Sequence, residues 1–150
     1  MRLQKDLREF IELFNSNGVE YLIVGGFALA FHGRPRYTGD IDLLVVPSKE
    51  NSGRIVTALR EFGFRVTGLR AGDFTEADQV IQLGRPPNRI DLLTSVSGVT
   101  AADAWAQRIA GELDGLPVFF LSRDHLIANK RATGRLQDKA DLEALGEDPE

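Results

Sequence analysis

Apolar positions along the chain change period repeatedly, and each change marks an element. Leu3, Leu7, Phe10, Ile11 and Phe14 recur at helical spacing among charged residues. They predict a one-sided amphipathic helix ending near Asn17-Gly18. Val19 to Val24 is a short β-rich run between glycines, which predicts a buried strand. Phe27 to Phe31 offers good helix formers and stops before Gly33 and Pro35. Asp40 to Val46 reads as the next strand, closed by Pro47. Ser48 is placed to cap a helix from Lys49 to Phe62, with Ile55, Val56, Leu59 and Phe62 on its apolar side and Gly63 at its end.

Phe64 to Leu69 reads as a strand and Arg70 to Ala77 as an exposed loop. Gln79 to Leu83 and Arg89 to Leu93 read as two strands joined through Gly84-Arg85-Pro86-Pro87-Asn88, where proline forbids a continuous strand and a hairpin-like connection is simplest. A helix over Ala101 to Gln107 follows. Arg108 to Leu113 and Leu116 to Leu121 flank Asp114-Gly115, the clearest two-residue hairpin signal in the chain. Ser122 is placed to cap a helix from His125 to Ala132, and Gly134 separates it from a last helix, Leu136 to Leu145. Hairpins mixed with helical crossovers imply an α/β (α+β) fold with a mixed central sheet flanked by helices. The chain reads as one domain over residues 1–150, with 146–150 as a frayed tail.

Composition narrows the chemistry. With 43% hydrophobic and 27% charged residues, the 150-residue chain can bury a core. It holds no apolar run near the roughly 20 residues that span a bilayer, so no membrane partner is expected. There is no signal-peptide core at the N-terminus, and the absence of cysteine excludes disulfides, thiolate metal sites and cysteine nucleophiles. Both fit a cytoplasmic protein. A net charge of −4 argues against a general nucleic-acid binder, so phosphate chemistry would rest on metal ions or a local cationic patch. His32 and His125 stand too far apart to form a zinc signature.

The stretch Gly25 to Asp42 carries the strongest signal. Asp40 and Asp42 stand one residue apart at the head of an apolar strand, so both side chains leave the same face. At about 4 Å and an effective dielectric of about 20 their repulsion is about 4 kcal/mol. A divalent cation offsets that cost, and Mg2+ takes one or two carboxylates together with substrate oxygens. The bland alternative is a pair of exposed acids at a strand end, which is the commoner meaning of a bare Asp-x-Asp. Three features shift the balance. Asp91 is an acid inside a second apolar strand and would join the pair if the two strands are neighbours. Gly25-Gly26 lies between strand and helix, where a backbone without side chains approaches phosphate closely. Arg34 and Arg36 in the connecting loop, and Lys130 and Arg131 far along the chain, supply cations, although for the last two a solvated helix face is an equally good reading.

Gly25-Gly26, thirteen further residues, Asp40-Ile41-Asp42 flanked by apolar residues, and the later Asp91 together resemble the nucleotidyltransferase superfamily that includes DNA polymerase β. Within its minimal members, GGFALAFHGRPRYTGDIDLLV and LIANKRATGRLQDKADLEAL look most like the AbiEii-type toxins of toxin–antitoxin systems. The resemblance implies a polymerase-β-like fold and Mg2+-dependent (or Mn2+-dependent) transfer of a nucleoside monophosphate from an NTP to a hydroxyl of tRNA or protein. A cognate antitoxin or toxin would be a partner. It implies that Asp40, Asp42 and Asp91 bind the metals, with Asp91 also activating the acceptor. Gly25 and Gly26 would cradle phosphate, and Lys130 would contact the triphosphate. Gly26 departs from the serine common at that position and lacks its hydroxyl contact. The alternative reading is a non-catalytic nucleotide-binding or antitoxin-like interaction protein that keeps the fold; a metal-dependent hydrolase is a weaker third. Asp138 and Asp141 are expected to be solvated charges on a terminal helix.

Overall fold

Four turns of sequence punctuation set the frame, and the computed structural model, which describes residues 3–33, 39–63, 71–84 and 89–150, shows each of them. Ser48 caps its helix by accepting from Asn51 N at 3.0 Å, and Gly63 closes the same helix at φ 94°. Asp114 and Gly115 take φ 51° and 77°, the paired left-handed conformation of a tight hairpin. Ser122 accepts from His125 N and starts the penultimate helix.

Between these signals run six helices and six strands among the described residues. They are α1 (Lys5–Ser16), β1 (Tyr21–Val24), α2 (Gly25–Phe31), β2 (Ile41–Val45), α3 (Lys49–Phe62), β3 (Val80–Leu83), β4 (Ile90–Leu93), α4 (Ala101–Ala106), β5 (Ile109–Leu113), β6 (Leu116–Phe120), α5 (Arg123–Thr133) and α6 (Leu136–Ala144). The strand expected at Phe64 to Leu69 lies outside the described residues. The strands form one mixed sheet in the order β3-β4-β2-β1-β6-β5. β2 with β4 and β1 with β6 are parallel; the other neighbours are antiparallel. No helix among the described residues is long and apolar enough to cross a membrane.

The core follows the sequence pattern. α1 buries Leu7, Phe10, Ile11 and Phe14, and β1 is buried at all four positions. Phe10 meets Phe62 of α3 edge-on, with ring centroids 5.4 Å apart. Asn51 is a buried polar residue with a fixed task. Its Oδ1 accepts from Glu20 N at 2.7 Å, and its Nδ2 donates to Glu20 O at 2.9 Å and Val46 O at 2.8 Å, which ties the start of α3 to the ends of β1 and β2. One expectation fails here. The segment Arg70 to Ala77 is not a simple exposed loop: Ala71–Phe74 forms a 3-10 turn, and Phe74 is fully buried in the common core. A lone aromatic in a polar segment has no period to reveal it, but its apolar area alone makes burial worth about 2 kcal/mol or more.

Candidate active site

The central strands bring the acids together. β2 and β4 run parallel in a register that sets Asp42 opposite Asp91, and β1 places Val24, the residue before the glycines, opposite Asp42 from the other side. The glycine turn and both strand acids therefore meet at one end of the sheet. Gly25 is the first residue of α2 and has φ +66°, and a Cβ built on it would overlap Asp42 Oδ2 and stand 3.1 Å from Asp42 Cγ. Backbone conformation and space both demand glycine.

Asp91 is 7% exposed, more buried than a solvent-facing strand acid would be. Its carboxylate accepts a two-armed grip from Arg89, with Nε to Oδ1 at 2.8 Å and Nη2 to Oδ2 at 3.1 Å. The same residue reaches Asp40: Arg89 N donates to Asp40 Oδ1 at 3.0 Å, and Arg89 Nη2 stands 3.6 Å from Asp40 Oδ2. Asp42 carries the strain of the cluster. Burial first, then a hydrogen bond shared with Asp91, then the charges of Asp91 and Asp40 push its carboxyl from the ordinary 3.8 up to about 7, against the opposing charge of Arg89. Arg89 is held more firmly protonated, chiefly by its hydrogen bond to Asp91.

A family model described as nucleotidyltransferase of unknown function (DUF6036) matches residues 1–146. The chain belongs to this family of nucleotidyltransferases. Solved structures show the same fold. A Thermotoga maritima protein named as a nucleotidyltransferase superposes with a TM-score of 0.63 at 17% identity, over 92% of this chain and 88% of that one. The lincosamide antibiotic adenylyltransferase LnuA, solved with lincomycin bound, gives 0.62 at 13% identity, over 97% and 98%. An antigenic nucleotidyltransferase-like protein from Paracoccidioides brasiliensis gives 0.53 at 19%, over 95% and 75%. No curated protein matches the sequence. The expected α/β nucleotidyltransferase fold is thus the fold found.

Nucleotidyltransferases as a class use NTPs and divalent metals, and the donor set here suits hard cations: carboxylate oxygens, with Asp42 and Asp91 already facing each other. The three acids are not yet a cage. Among the described residues no three acidic or histidine side chains form a ready metal-binding group, and Asp40 is engaged by Arg89. Sequence reasoning passed over Arg89, although its spacing of two from Asp91 puts both side chains on one face of the strand.

The remaining sequence candidates separate. Arg34 and Arg36 lie outside the described residues. Lys130, the candidate for contacting the triphosphate, is buried between the last two helices, with Nζ 3.4 Å from Asp138 Oδ1 and 2.9 Å from Asp141 Oδ2. Asp138 and Asp141, expected to be solvated, are 0% and 4% exposed. Their spacing of three puts them on one face of α6, and that face closes on α5. Burial raises the Asp138 carboxyl, but hydrogen bonds from Arg135 and Thr133 and the Lys130 charge outweigh it and hold it well below the usual range. Ser97 and Gly98, beyond β4, dock on α5: Asn129 Nδ2 donates to Ser97 O at 2.9 Å, and a Cβ on Gly98 would lie 2.8 Å from Ala128 O. His32 rests on the backbone, its Nε2 2.7 Å from Leu121 O.

Proposed function

We propose that this nucleotidyltransferase moves a nucleoside monophosphate from an NTP to a hydroxyl acceptor at the Asp40, Asp42 and Asp91 cluster. The observation that carries the reading is the register pairing of Asp42 with Asp91 directly above a glycine turn that admits no side chain. Asp42 and Asp91, joined by Asp40 once it leaves Arg89, would hold Mg2+, or Mn2+ in its place. The metal supplies charge stabilisation for the attacking and leaving oxygens. The backbone of Gly25 and Gly26 would lie along the phosphates, with Arg34 and Arg36 as their cationic contacts. The acceptor oxygen forms a bond to the α-phosphorus, the bond from that phosphorus to the β-bridging oxygen breaks, and pyrophosphate leaves. The acceptor's proton passes to the Asp91 carboxylate.

The acceptor is tRNA or a protein hydroxyl on the AbiEii-like resemblance, which would make the protein the toxin of a toxin–antitoxin pair. The likeness to LnuA adds a small hydroxylated molecule to that set. Incubating the protein with Mg2+ and each α-labelled NTP, and with total RNA, total protein and a panel of small hydroxylated compounds, tests the reading. Label transfer that Asp42→Asn abolishes supports it. Absence of transfer to every acceptor class, with NTP binding that persists without Mg2+, favours the non-catalytic alternative.

A further inference from the structure

Within the acidic cluster, Arg89 is the side chain with no part in the reaction proposed above. It nevertheless reaches two of the three acids. Both arms of its guanidinium hold Asp91, its backbone amide holds Asp40 Oδ1, and its Nη2 stands 3.6 Å from Asp40 Oδ2. A guanidinium that grips both oxygens of a carboxylate competes with a divalent cation for their lone pairs, and its positive charge repels the cation. The Arg89 side chain is 29% exposed, so it can exchange into solvent without unfolding the strand that carries it. Lys130, by contrast, pairs with its acids at 6% exposure and is fixed in place.

We propose that Arg89 is the resident counter-cation of the carboxylate site, which Mg2+ displaces from Asp91 and Asp40 as the metal-bound nucleotide enters. The inference rests on the metal-site reading given above. In the free protein the guanidinium neutralises acids that would otherwise repel. It also keeps bare divalent cations weakly bound, which couples their capture to the arrival of the triphosphate. Arg89 is a positioning residue in this scheme, acting through Asp40 and Asp91.

The test is Mn2+ binding to the free protein without nucleotide, followed by the paramagnetic resonance of unbound Mn2+, for the native chain, Arg89→Gln and Arg89→Lys. Arg89→Gln, which removes the charge, should bind Mn2+ about tenfold more tightly, in line with the loss of a charge-assisted two-armed pair at a partly exposed site. Arg89→Lys keeps the charge but loses the fork, and should gain a fewfold; it also serves if the glutamine variant does not fold. A merely structural arginine would leave Mn2+ affinity unchanged or weakened in both variants, and that result overturns the inference while the metal site stands. Failure of every chain to bind Mn2+ saturably removes the metal site as well.

Discussion

Gly25 lies so close beneath Asp42 that a Cβ on it would overlap Asp42 Oδ2. Gly25→Ala therefore has two consequences that can be read apart. The left-handed backbone at φ +66° costs an alanine roughly 1–2 kcal/mol, visible as a lowered melting temperature. The methyl group also pushes the Asp42 carboxylate off its position, and a displacement near 1 Å costs about 100-fold in catalysis. The expected variant is folded, modestly less stable and nearly inactive in nucleotidyl transfer. A folded Gly25→Ala protein with native activity would place the chemistry elsewhere.

The crowding of Asp42 gives a pH signature. Its carboxyl titrates near 7 in the folded protein and near the ordinary 3.8 unfolded. Between about pH 4 and 7 the folded state thus holds more protons than the unfolded chain, and stability falls as pH rises through that window. Melting curves of the metal-free protein should show this fall, and Asp42→Asn should remove it. Divalent cation must displace the same proton, so Mg2+ should raise the melting temperature more at pH 8 than at pH 6.

Lys130 sits between two buried carboxylates rather than at an open surface. Removing one member of a buried ion cluster leaves uncompensated charge, so Lys130→Met should cost roughly 3–5 kcal/mol in urea unfolding. The triple change Lys130→Met, Asp138→Asn and Asp141→Asn should regain much of that loss. A Lys130→Met protein of native stability with a raised KM for NTP would return this lysine to the triphosphate.

These cases show where the sequence was legible. Hairpin, caps and the buried strand β1 were readable because each depends on local chemistry: Asp114-Gly115 admits positive φ, Ser48 accepts from its own helix, and Tyr21 to Val24 is apolar throughout. The Asp40 and Asp42 pair was readable for the same reason. That Asp91 stands opposite Asp42 was only conditional, since strand order is set by packing across the sheet and not by neighbours in sequence. The pairing of Lys130 was unforeseen because Asp138 and Asp141 look like solvated charges until α6 folds back on α5. Arg89 was overlooked because an arginine flanking a strand acid is ordinary, and only the contact it makes with Asp40 reveals that it spans the site.

The most direct test is a crystal structure with Mn2+ and a non-hydrolysable NTP, read by anomalous scattering. The account predicts metal density bonded to Asp42 and Asp91 and to the triphosphate, with the phosphates against Gly25-Gly26 and Arg89 released from Asp91. Nucleotide and metal bound away from Asp42, with Arg89 still gripping Asp91, would contradict it.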